Sequence, residues 1–315
     1  MLKYLIILLD DTSTSYCHYH NNKTEKLLIS LEDLKAGILF AMKENLTIQF
    51  VYPAYEIPAA YQEAIETIDH VKIMPADAKN TMEADVLVFN GRDALQCVST
   101  EQMGKIFVLR TCVADVVCNA PTIPKNGRLN IIITDFETFT EKDFETYKQW
   151  LSELVAMFVE THNCASLQEN NMQQINLLTD RIILYKMNNC NAGIENITLA
   201  PNGEFYICPA FYIENEKDSI GNLKKGVDIK NRQLYKLEYA PLCRTCDAYQ
   251  CKRCVWLNRK TTLEVNTPSH EQCVVAHLER NASRQLLNEL QRKGYFTDRE
   301  ILPIDYLDPF EGIEN

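Results

Sequence analysis

The sequence predicts a chain in two parts: an N-terminal α/β domain with a largely parallel sheet, then a cysteine-rich α+β domain built around a β-hairpin. Three observations predict it. Strand-like and helix-like stretches alternate through the first half, the pattern by which crossover helices cover a parallel sheet. After residue 180 the periodicity changes, and seven of the twelve cysteines gather between Cys190 and Cys273. Within that region Asn202-Gly203 lies between alternating apolar positions, a hairpin signal because both turn residues tolerate positive φ. A chain of 315 residues with 46% apolar content can bury a core in each part.

In chain order, Leu2 to Leu9 is an apolar run short enough for a buried strand. Ser30 and Asp33 form a capping-box signal, followed by Leu34, Ile38 and Met42 at helical spacing. Thr47 to Tyr52 reads as a strand stopped by Pro53, and Ala59 to Ile68 as a helix. His70 to Met74, Ala84 to Phe89, Lys105 to Leu109 and Arg128 to Thr134 read as further strands. Thr140 and Asp143 cap a long helix with core face Phe144, Tyr147, Leu151, Leu154 and Phe158. Arg181 to Lys186 reads as a strand leading into the cysteine region. Ile197, Leu199, Phe205 and Ile207 flank the hairpin turn. Val274 to Arg292 is a helix ended by Gly294, and the remainder is acidic and Pro-punctuated. The expected domains are 1–180, 181–294 and a tail 295–315. The helices are too few for a complete eightfold barrel.

Lys plus Arg number 32 against 43 Asp plus Glu, a net charge of −11, which argues against nucleic acid as a partner. No run approaches the roughly 18 to 20 apolar residues of a membrane helix, and Leu2 to Leu9 lacks the basic flank and cleavage site of a signal peptide. The expectation is a soluble cytoplasmic protein with no membrane partner. A reducing cytoplasm rules out a disulfide framework for twelve cysteines, so metal ligation is the first question.

Cys243-x2-Cys246 and Cys251-x2-Cys254 are paired knuckles, and two residues between thiolates let both face one metal from a tight turn. Cys208 ends the hairpin, Cys190 precedes it, and Cys273 opens the last helix. Arg244, Lys252 and Arg253 interleave the pairs, where cations would favour thiolates. Two other readings stand beside an iron–sulfur centre. The seven could be ordinary buried thiols. Alternatively, Cys243, Cys246, Cys251 and Cys254 could form a closed four-thiolate zinc site, with a short gap for a zinc ribbon and with Cys190, Cys208 and Cys273 left over.

The series Cys190-x12-Gly203-x4-Cys208, the group Cys243, Cys246, Cys251 and Cys254, then Cys273, resembles the SPASM domain of radical-SAM peptide-modifying enzymes. Ile220-Gly221-Asn222-Leu223 is also similar to what that domain carries. The central spacing x2, x4, x2 departs from the family's x2, x5, x3. The resemblance implies one or two auxiliary [4Fe–4S] clusters. Cys190, Cys208 and Cys254 would serve the first, with an open iron or Cys164 completing it, and Cys243, Cys246, Cys251 and Cys273 would serve the second.

A radical-SAM enzyme also needs CxxxCxxC after its first strand. Here the loop runs from Asp11 to His20 and offers only Cys17, so SAM is not an expected cofactor and the N-terminal domain resembles an eroded radical-SAM barrel. With Leu8-Leu9-Asp10-Asp11-Thr12-Ser13 and Ser15-Tyr16-Cys17-His18-Tyr19, the whole chain looks like the CXXX repeat peptide maturase family. That implies a component of ribosomal-peptide maturation that handles a cysteine-repeat precursor beside a separate radical-SAM partner protein. A zinc-stabilised peptide-binding module without redox chemistry is the alternative.

Other groups read more plainly. Cys17, His18 and His20 are a surface turn before they are a metal site. Asp10 and Asp11 face opposite sides of a strand, so one is expected to cap a loop. Cys97, Cys112 and Cys118 read as core or strand-end thiols. The aromatics Phe205, Tyr206, Phe211 and Tyr212 read first as hairpin packing.

Overall fold

The computed structural model describes residues 1–91, 104–118, 127–161 and 174–304; Cys97 and Cys164 lie outside them. It is a mixed α/β structure with a largely parallel sheet, divided into two compact, discontinuous units.

The first unit comprises Met1–Phe89, Asn191–Ala240 and Val255–Leu257. Its strands are β1 (Tyr4–Leu8), β2 (Thr47–Val51), β3 (His70–Pro75), β4 (Val86–Asn90), β8 (Asn196–Leu199), β9 (Glu204–Tyr206), β10 (Gly221–Asn222) and β11 (Gly226–Val227), in the order β11-β10-β9-β8-β1-β2-β3-β4. β1 is central and parallel to both β2 and β8. Odd-numbered Leu5 and Ile7 face helix α1 (Leu31–Glu44) with Leu34, Ile38 and Ala41, and Ile48 and Phe50 extend the same core. Ser30 caps α1 by accepting from Asp33 N at 3.0 Å, and helix α2 (Ala59–Ile65) follows β2.

The expected hairpin is β8 with β9, antiparallel, with Leu199 opposite Phe205. Its turn residue Gly203 has φ +77°, a conformation that glycine takes without a Cβ clash. The Ile220-Gly221-Asn222-Leu223 motif also has a steric basis. A Cβ on Gly221 would lie 2.0 Å from the carbonyl oxygen of Gly226, across the β10–β11 turn. Helix α6 (Pro209–Glu214) begins directly after Cys208, with Pro209 in its first turn, where the missing N–H costs nothing.

The second unit comprises Asn90–Cys190, Pro241–Cys254 and Asn258–Asn315. It contains the parallel strands β5 (Ile106–Thr111), β6 (Arg128–Ile133) and β7 (Gln174–Ile175), the short helix α3 (Val113–Cys118), and the long helices α4 (Glu141–Thr161) and α8 (His270–Arg292). The predicted face of α4 is buried as expected. Helix α7 (Val255–Thr262) starts at the last cysteine of the knuckles.

One segment differs from its prediction. Residues 181–186 were expected to be a strand, but helix α5 (Asn176–Ile183) occupies the first part of it. Its residues from Asn176 to Ile182 are all buried although Asn176, Thr179, Asp180 and Arg181 are polar, and eight residues are too short a window for their spacing to be read as a helix.

Candidate metal centre

Six of the seven predicted ligands, Cys190, Cys243, Cys246, Cys251, Cys254 and Cys273, belong to the second unit. The knuckle loop is folded by local backbone bonds: Cys246 N donates to Cys243 O at 3.2 Å and Cys251 N to Ala248 O at 3.0 Å. The first pair is closed as a tight turn, as two-residue spacing allows, whereas the bond at Cys251 closes the turn that leads into the second pair. Backbone amides also point at sulfur, Ala248 N at 3.4 Å from Cys246 Sγ and Arg253 N at 3.5 Å from Cys251 Sγ. Such amides favour a thiolate. Arg253 itself has φ +44°, a left-handed backbone rare for a long side chain, set between Cys251 and Cys254.

The segment before α7 is held from two sides. Asn188 N donates to Tyr249 O at 2.9 Å and Cys190 N to Lys252 O at 3.0 Å, which lays Cys190 along the second knuckle. Gln250 Nε2 donates to Ala276 O on α8 at 2.6 Å. His277, four residues after Cys273 and therefore on the same face of α8, puts Nε2 3.7 Å from Cys246 Sγ. The sequence reading missed His277. Cys273-x3-His277 is its only signature, and it becomes visible once both are known to share a helix.

Burial dominates the electrostatics. It pushes the Cys243 thiol up to about 11 against the opposing pull of Arg253. It also raises Cys246, against Ala248 N–H, Arg280 and Arg181, and raises Cys251 strongly, helped by Cys243 and Cys246. The expectation that interleaved cations would lower thiol pKa is therefore corrected: Arg253 acts in that direction and is outweighed by desolvation. Burial lowers Arg253, while Cys243, Cys190, Cys251 and Cys254 all act to raise it. Without metal these thiols keep their protons, and metal binding would release them.

Among the described residues, no three His, Cys, Asp or Glu side chains come close enough to hold a metal ion. An iron–sulfur cluster spaces its thiolates around a body of several atoms rather than one ion, and a thiol-only donor set is the set it takes.

Cys208 lies in the first unit, at the cap of α6. The same unit contains the loop after β1, where a SAM-binding cluster would need three thiolates. That loop is filled instead by hydrogen bonds. Asp10 is the expected loop cap: it accepts from Thr12 N at 2.8 Å, and its own N–H donates to Ser13 Oγ at 3.0 Å. Ser13 Oγ donates to Val51 O at 2.8 Å, and Asn21 Nδ2 donates to Asp11 O and Ser13 O. The Asp11 carboxylate accepts from the Tyr212 hydroxyl and from Lys23 Nζ at 3.1 Å, and Lys23 also lies 4.0 Å from the centroid of the Tyr212 ring. Tyr206 and Tyr212 are buried against each other with ring centroids 5.0 Å apart, the packing role expected of the aromatic run.

No family model matches the chain, and no curated protein matches it. Among the solved structures similar to the chain are the following three. The structure titled "Native anSMEcpe with bound AdoMet and Cp18Cys peptide" has a TM-score of 0.59 and 12% identity, covering 93% of this chain and 100% of that one. A hexahistidine-tagged anSMEcpe with bound AdoMet has a TM-score of 0.60 and 12% identity, covering 97% of each chain. Streptococcus suis SuiB bound to precursor peptide SuiA has a TM-score of 0.42 and 12% identity, covering 86% of this chain and 76% of that one. The likeness to the two anSMEcpe structures is one of fold, extending over nearly the whole of both chains.

Proposed function

We propose that the chain is the iron–sulfur component of a ribosomal-peptide maturation system, binding a cysteine-repeat precursor while a separate radical-SAM protein generates the radical. The observation that carries this reading is an asymmetry. The cysteine loop keeps a full thiol set, whereas the loop after β1 has replaced its cluster thiols with the Asp10–Ser13–Asn21 network. A fold of radical-SAM type that keeps the auxiliary ligands and loses the SAM-binding ones fits a partner better than a SAM-cleaving enzyme.

In this reading residues 181–294 act as a SPASM-like domain. Cys243, Cys246, Cys251 and Cys273 hold one cluster; Cys190, Cys208 and Cys254 contribute to a second where two are present. When bound, such clusters carry single electrons. The chain's residues orient them: the backbone amides of Ala248 and Arg253 and the imidazole of His277 surround the sulfurs and tune them. A peptide as substrate is supported by the peptide held in one structure of the same fold.

The test is a reconstituted, anaerobic, reduced preparation given SAM and a cysteine-repeat peptide. The expected outcome is no SAM cleavage by this chain alone, together with a shift in the cluster's electron paramagnetic resonance on adding peptide. Cleavage to 5′-deoxyadenosine without a partner would make the chain an enzyme in its own right. A colourless protein with stoichiometric zinc would favour a structural peptide-binding module.

A further inference from the structure

Beside the knuckle loop, two arginines share one acid. Asp247, the residue after Cys246, accepts from Arg280 Nε and Nη2, each at 2.6 Å, and from Arg181 Nη2 at 2.8 Å. Neither arginine pairs with any other acid among the described residues. Two guanidiniums on one carboxylate leave one positive charge unbalanced. Arg280 is 1% and Arg181 8% exposed, and a buried cation without a counter-charge is costly.

Arg181 lines a cavity of about 190 Å³ with Tyr185, Tyr249, Arg299, Glu300 and Ile301. Its Nε is buried and has no hydrogen-bond partner. Arg181 stacks over the Tyr249 ring at 4.4 Å and Arg299 over the Tyr185 ring at 3.7 Å. Arg299 makes no ion pair among the described residues; its Nη2 donates only to the Ile183 carbonyl, at 3.4 Å. Glu300 is the one acid on the wall.

From this geometry we infer that the cavity between Arg181 and Arg299 is a binding site for a carboxylate of a peptide. A planar carboxylate matches the donor fork of a guanidinium and supplies the missing negative charge. The tyrosine rings give the flanking peptide an apolar wall with polar edges. The site does not depend on a bound cluster, so its failure and the failure of the iron–sulfur reading are separate results.

The carboxylate could come from a chain terminus or from an acidic side chain, and three probes separate these sources. The full chain is titrated at low salt with acetyl-triglycine, with its C-terminal amide, and with acetyl-Gly-Glu-Gly-amide, by ligand-observed NMR. The inference expects at least one of the two carboxylate peptides to bind about tenfold or more tightly than the neutral amide, the size of effect a charge-assisted hydrogen bond carries. Whichever of the two binds better identifies the source. Arg181→Met and Arg299→Gln are each expected to abolish that preference. Arg299 is not part of the buried Asp247 network, so Arg299→Gln decides the matter should Arg181→Met fail to fold. Equal binding of all three peptides, or a preference that survives Arg299→Gln, overturns the inference.

Discussion

Glu279 sits on α8 among buried neighbours, accepting from the Tyr147 hydroxyl at 3.0 Å. Burial raises its pKa from 4.5 to about 7, against the hydrogen bonds from Tyr147 and Gln250. Between those two values the folded metal-free chain holds a proton that the unfolded chain has released, so stability falls as pH rises from about 4.5 to 7 and stays reduced above it. The size is roughly 3 kcal/mol at 1.36 kcal/mol per pH unit. Denaturant titrations across this window should show that slope in the native sequence and lose it in Glu279→Gln, which keeps an acceptor for Tyr147. The cysteines divide in the same way by environment. Cys246→Ala should remove bound iron and destabilise the second unit, whereas Cys112→Ala, a strand-end thiol with no place in the knuckle loop, should leave iron content unchanged; metal analysis and thermal unfolding of both variants check this. The thiols are legible in the sequence because CxxC is a local spacing. His277 near Cys246, and Arg280 on Asp247, join residues 31 and 33 positions apart, and no local pattern announces such pairs.

At the level of elements, glycine placement supports the hairpin region. Gly221→Ala would drive a Cβ into the Gly226 carbonyl, backbone against backbone, and also forbids its φ of +134°. The expected cost is on the order of 1–3 kcal/mol. Limited proteolysis around residues 219–228 should then speed up, while α1 and its capped start at Ser30 stay protected. Strands and helices with one polar face, such as β1, α1 and α4, could be read from periodicity. α5 could not, since its eight residues complete barely two turns. Its β-branched run 182–183 then reads as a strand, and packing against α8 overrides that propensity. Helices as short as α3 and α6, at six residues each, carry too few turns to show a period.

For the whole molecule, the alternation of strands and helices predicts the mixed α/β class that the structure has. Among the described residues no helix is long and apolar enough to cross a membrane. The discontinuous division into units was beyond sequence reasoning. Chain segments 191–240 and 241–254 adjoin in sequence yet belong to different compact units, because β8 pairs with β1 over a separation that no window of periodicity spans.

The central claim is that the cysteine series holds iron and sulfide. Anaerobic purification followed by quantitation of iron, acid-labile sulfide and zinc tests it most directly. The account predicts about four irons with matching sulfide for one cluster, or about eight for two, and little zinc. A chain with no iron or sulfide after anaerobic reconstitution, or one saturated with zinc alone, contradicts it.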